Sequence, residues 1–287
     1  MNITNSIKLH PVLTYFVLTF ILSWVCVGIL FAVAPAGLEG GKAQAGGLSM
    51  LALLAMTTGP SIASIVSTSI VEGRDGLRAL FSRLGRWQVN IRWYGIALFI
   101  TPLLLTVILS TLAYLVSPVF VPSIITTGDI ATLVGFGIIL GLWAGFFEEL
   151  GWSGFAVPKL QSRFSALATA LIVGVMWGFW HFLGDLWGRA AVYGALFVPN
   201  FLLFVIAVTA YRILMTWVYN NSRSLLLAIL MHASFSGSQF IFASSISSVV
   251  DNVLWLAIFA AVLWVVAAVV IATTGAKRLV REPRQTM

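Results

Sequence analysis

Long apolar runs alternate with short polar stretches along the whole chain. Eight runs approach or reach the roughly 20 mostly apolar residues that a helix needs to cross a bilayer. They cover about 12–34, 48–71, 93–115, 131–155, 165–182, 192–217, 225–244 and 253–273. The first follows Lys8 and His10. It exceeds the roughly 7–15 residues of a signal-peptide core, so it reads as a retained helix. Pro35, Pro102, Pro118, Pro122 and Pro158 are placed near helix ends or in loops, while Pro60 and Pro199 fall inside runs and are expected to kink them. No internal repeat stands out.

Composition supports lipid as the solvent. Hydrophobic residues make up 60% of the chain and charged residues only 9%, against about 25% charged in a soluble domain. The expected fold is therefore all-α, a polytopic transmembrane bundle of about eight spans. Three parts are expected: N-terminal helices over 1–130 with a basic loop at 72–92, a middle group of helices over 131–245, and a last helix with a basic tail over 246–287.

Charge then sets the expected orientation. A net charge of +7 could suggest nucleic acid, but the basic residues lie in short segments between apolar runs, where they orient a membrane protein. With the N-terminus inside, all 16 Lys and Arg residues fall in inside segments except Lys42 and Arg189. Arg212 and Arg223 are both assigned to the inside segment after the sixth run. This asymmetry predicts both termini on the cytoplasmic side of the plasma membrane. The stretch from Leu77 to Leu84 has near-helical apolar spacing among arginines; it fits an amphipathic surface helix or a plain topology determinant. Cys26 is the single cysteine, which excludes an internal disulfide and a Cys-rich metal site.

The chemistry concentrates in a few positions. Of nine acidic residues, only Glu148 and Glu149 fall well within a run. Of three histidines, His181 and His232 lie in runs five and seven. A charge at mid-bilayer costs about 2.5–3.5 kcal/mol on insertion scales, which makes each such residue a functional candidate. Consecutive glutamates point about 100° apart on a helix, so one can face a reacting centre while the other orients or anchors. Gly141, Gly145, Gly151 and Gly154 permit close packing around them, with Gly151 a candidate bend. Ser236, four residues after His232, shares its helix face and could help to hold an oxyanion. Trp177, Phe179 and Trp180 read as core or lipid-facing residues. One geometric problem arises. Counted from the loop near 158–163, Glu149 is about ten residues deep and His181 about twenty, a gap of roughly 15 Å. Tilt, a kink at Gly151 or an early helix end must close it.

These residues resemble three motifs of the CAAX-protease and bacteriocin-processing family, also called CPBP or Abi, which includes the type II CAAX prenyl endopeptidases. Glu148-Glu149 matches the first motif, Trp177 and His181 the second, and His232 with Ser236 the third, in the family's order over roughly 131–245. Ser153 stands where the family has Arg, and Ser236 where it has Asn or Asp. The resemblance implies intramembrane hydrolysis of a peptide bond. Glu148 with His181 would activate water, His232 with Ser236 would stabilise the oxyanion, and Glu149 would orient. The substrate would be a membrane-associated or lipidated peptide or protein, with membrane lipid the other partner and nucleic acid none. A divalent metal such as zinc stays open; Glu148, His181 and His232 would be its ligands, although no His-Glu-x-x-His is present. Two other readings also stay open: a family member that works by binding, in immunity or regulation, and a Glu/His proton-coupled transporter. Oligomeric state is not legible.

Overall fold

A computed structural model of the chain describes residues 7–33, 47–243, 246 and 248–280. Lys42, Arg281 and Arg284, used in the charge argument, lie outside the described residues. Those described are helical and contain no strand. The main helices are α1 (Pro11–Val33), α2 (Gly47–Thr57), α3 (Gly59–Ser82), α4 (Ile91–Leu115), α5 (Ile130–Gly151), α6 (Ala166–Trp180), α7 (Phe182–Tyr193), α8 (Phe197–Ser222), α9 (Leu225–Ala243) and α10 (Val249–Thr274). Among the described residues seven helical stretches are long and apolar enough to cross a membrane, and the protein is a polytopic helical membrane protein.

The structure corrects several expectations. The fifth apolar run is helical but forms only the 15-residue α6, about 22 Å long and short for a span. The second run breaks at Thr58, between α2 and α3. Pro60 then sits in the first turn of α3, and Pro199 in the first turn of α8. Neither kinks a helix, because a first-turn residue has no intrahelical N–H bond to lose. Pro102, expected near a helix end or loop, lies inside α4. The basic 72–92 segment is not mainly loop. α3 runs on to Ser82 across a kink at Gly73, whose φ of 65° needs a glycine.

The core that positions the site is two antiparallel helix pairs. α5 and α9 approach along Gly137, Gly141 and Gly145, one turn apart. A Cβ on Gly141 would lie 2.3 Å from the Ala233 carbonyl oxygen, and one on Gly145 2.5 Å from that of Ile229. Small residues let the backbones touch, which is how helices pack without a hydrophobic drive in lipid. α6 and α8 approach in the same way at Gly174 and Gly178, against Thr209 and Val205. We expect Gly141→Ala to lower stability by about 1–3 kcal/mol. Gly135→Ala, on the same helix with nothing within 4 Å, should be neutral or slightly stabilising. Thermal unfolding in detergent checks the contrast, and equal effects would remove the glycine contact as the cause.

The depth problem is solved at the end of α5. The chain stays helical past Gly151, through a π-helical turn at Trp152–Ala156 and a last turn to Gln161. The helix therefore neither ends early nor bends at Gly151. That glycine instead admits close contact: a Cβ there would meet Tyr15 Oη at 2.3 Å and the Pro60 carbonyl oxygen at 2.6 Å. From the turn after Gln161, Glu149 is about 18 Å along its helix and His181 about 22 Å along its own. The two levels nearly coincide.

Candidate active site

Each acid reaches the site by its place on α5. Past Gly145 the helix still touches α9, and the 100° step between neighbours sends the carboxylates apart. Ser61 of α3 donates to the Phe147 carbonyl and ties α5 in place just before them. Glu148 and Glu149 are both buried.

Glu149 points between α8 and α9 and is held there. Arg212 Nη2 donates to its Oε1 at 2.8 Å and Nη1 to its Oε2 at 2.9 Å. Ser153 Oγ also donates to Oε2, and accepts from Arg212 Nη1 at 3.4 Å. His232 Nδ1 lies 2.7 Å from Glu149 Oε1. A carboxylate gripped by a two-pronged guanidinium stays an acceptor, so Nδ1 carries the proton and donates. Nε2 is then the nitrogen left toward Glu148, 3.8 Å from its Oε2. His232 thus touches both acids, one with each ring nitrogen.

Glu148 points toward α6. Trp177 Nε1 donates to its Oε2 at 2.7 Å and Trp152 Nε1 at 3.4 Å. Both bonds fall on Oε2. The carboxyl also borders a cavity of about 420 Å³. Trp177, His181, His232 and Ser236 line the same cavity, with Asp185 and Arg189 beyond them. The His181 ring stands 4.7 Å from Trp180 and 5.2 Å from Phe204. Towards α2 the lining turns apolar, with Met50, Leu54, Phe136 and Trp143.

All six residues expected at the site, Glu148, Glu149, Trp177, His181, His232 and Ser236, are thus in one place. Glu149 faces the ion pair, whereas the others line the cavity. Trp177 serves as a hydrogen-bond donor to Glu148 rather than as plain core. The metal set fits less well. Among the described residues no three His, Cys, Asp or Glu side chains converge as ligands of one ion, and His232 Nδ1 is already committed to Glu149.

Sequence reading missed Arg212. It had been placed with the inside basic residues, yet it is wholly buried and its guanidinium lies 4.5 Å over the Trp177 ring. The signal was present: Arg212 falls five residues inside the run at 192–217, and an arginine there needs a partner. From α8 it reaches Ser153, whose hydroxyl accepts from its Nη1.

Known proteins match the same region. Residues 130–238 match the model of the "Type II CAAX prenyl endopeptidase Rce1-like" family. The "CAAX prenyl protease 2" of Methanococcus maripaludis is 25% identical over 241 residues, covering 79% of this chain and 83% of that protein. Residues 130–238 are thus similar to the type II CAAX prenyl endopeptidases, and most of the chain is similar to one CAAX prenyl protease.

Proposed function

We propose that this protein hydrolyses a peptide bond within the membrane, with Glu148 as the general base. One observation carries the reading: the two adjacent acids are differently engaged. Glu149 is fully occupied by Arg212, Ser153 and His232, while Glu148 faces the cavity. A base needs an open path to its proton, and only Glu148 has one.

The steps follow from the atoms. In the reacting state one proton is on either Glu148 or His232 Nε2, which stand 3.8 Å apart, beyond direct hydrogen-bond reach. With that proton on Nε2, Glu148 is a carboxylate and His232 a donor. Glu148 takes a proton from a water while the water oxygen attacks the substrate carbonyl. His232 Nε2–H, with the Ser236 hydroxyl, stabilises the oxyanion that forms. Glu148 then passes its proton to the leaving amine, and the C–N bond breaks. His181, in the lining of the same cavity, holds the water. Trp177 and Trp152 keep the carboxylate aimed, and Arg212 keeps Glu149 able to orient His232 throughout.

The substrate is a lipidated or membrane-embedded peptide. The apolar lining towards α2 suits a lipid chain or a hydrophobic segment, and the relative's name, a prenyl protease, points the same way. The end of the bundle that carries the basic loops faces the cytoplasm under the positive-inside rule. Purified protein should cleave a quenched-fluorescent farnesylated CAAX peptide faster than the same peptide without its lipid. Chelators should leave the rate unchanged. Chelator-sensitive cleavage would show that Glu148, His181 and His232 rearrange around an ion. Absence of any peptide product, together with solute flux in vesicles, would replace this reading with transport.

A further inference from the structure

The bundle end opposite the cavity holds a second feature that hydrolysis does not use. Four segments meet there: the turn after α3, the α5–α6 turn, the α8–α9 turn and the stretch after α10. They are stitched together by hydrogen bonds. Leu225 N donates to the Arg83 carbonyl and Ser224 Oγ to that of Arg86. Asn220 Nδ2 donates to the Arg278 carbonyl at 2.8 Å. Ala166 N donates to the Lys277 carbonyl at 2.9 Å.

Two adjoining hollows of about 450 and 620 Å³ open between these segments. They share Gln161, Ser162, Asn220 and Arg223 in their walls. Among the described residues six cations line them, Arg83, Arg86, Arg163, Arg223, Lys277 and Arg278, and no acidic residue does. None of the six joins an ion pair among the described residues.

Two details separate this from a merely basic surface. The first is Arg223, whose backbone is left-handed with φ of 55°. That region favours glycine or asparagine, which cap helices there at little cost. An arginine held in it is a strained choice, of the kind that collects at functional positions. The second is Arg83. Its guanidinium is locked by the Gly154 carbonyl and Tyr219 Oη, both at 2.8 Å. One cation is therefore pre-positioned and another is kept against local preference, around a concavity with unpaired charge.

We propose that this double hollow binds a multiply charged phosphate group, either a free diphosphate or the headgroup of an anionic phospholipid. Guanidinium forks match phosphate oxygens, and basic pockets between membrane helices take such headgroups. The hollow lies where α8 and α10 end and α6 begins. Its two parts, of about 450 and 620 Å³, give room for more than one phosphate.

The test uses full-length protein in neutral detergent, with thermal unfolding and native mass spectrometry. The probes are inorganic pyrophosphate, cardiolipin and, as a neutral control, phosphatidylcholine. We expect one saturable, salt-sensitive binding event per chain with at least one anionic probe and none with phosphatidylcholine. Arg223→Gly and Arg86→Gln should bind at least about tenfold more weakly. The ligand-free melting temperature of Arg223→Gly should be no lower than wild type, since glycine relieves the backbone. Arg78→Gln, outside the hollow and paired with Asp75, should bind like wild type. A response to pyrophosphate as well as lipid identifies phosphate itself as the recognised group, and a response to lipid alone identifies the headgroup; both uphold the site. No response to either anion, or equal weakening by Arg78→Gln and Arg223→Gly, would overturn it in favour of a diffuse basic surface.

Discussion

Glu148→Gln should abolish peptide cleavage and leave the fold intact. The amide keeps the shape and can still accept from Trp177 Nε1, which lies 2.7 Å from Glu148 Oε2. It cannot take a proton from water. Loss of a positioned general base costs roughly 10²–10⁴-fold in rate, or about 3–5 kcal/mol of transition-state stabilisation. Glu148 makes no ion pair with Arg212, so the melting temperature should stay close to wild type. The measurement is the turnover number on a farnesylated quenched peptide, read beside thermal unfolding of the same sample. Retained turnover would move the base elsewhere. His181 would then be the first candidate, because it lines the same cavity.

Arg212→Met should behave in the opposite way and lower stability first. The substitution leaves Glu149 charged and buried among Ser153 and His232 without its cation. Removing one partner of a buried pair costs about 3–5 kcal/mol. Activity should fall with it, because an unheld Glu149 no longer fixes the His232 ring. The decisive arm adds Ser153→Arg to Arg212→Met. Residue 153 follows Glu149 by one helical turn, and its hydroxyl already touches both Glu149 and Arg212. A guanidinium placed there can reach the same carboxylate. The double variant should regain part of the stability and part of the rate, as double-mutant coupling between neighbours requires. No recovery, with the protein folded, would mean that Arg212 does more than pair Glu149. Its contact with Trp177 would then be the place to look.

The elements were legible because lipid imposes its own pattern. An unpaired backbone group in hydrocarbon is so costly that a long apolar run must become a helix. Each of the eight apolar runs is mostly helical over its described part, the second broken at Thr58, and the paired glutamates stand out because nothing else acidic lies so deep. Segment ends were less legible. The sequence carries no mark that α5 runs through a π-turn to Gln161, and the apparent 15 Å mismatch between Glu149 and His181 arose from stopping that helix early. Helices crossing at close range also hide their partners. Gly141 shows that something approaches, and only the assembled pair shows that it is Ala233.

The sequence by itself determined a polytopic helical protein and a short set of candidate site residues: two acids, two histidines, a tryptophan and a serine. Burial cost is a property of each residue in its own run, so it can be read locally. The different surroundings of the two acids were decided only by tertiary structure. Glu148 and Glu149 are identical in type and adjacent in sequence. Their difference comes from Arg212, 63 residues further along the chain, which packing of α8 against α6 at Gly174 brings to one carboxylate and not the other. Charge pairing across helices depends on which faces meet, and no local pattern of hydrophobicity encodes that.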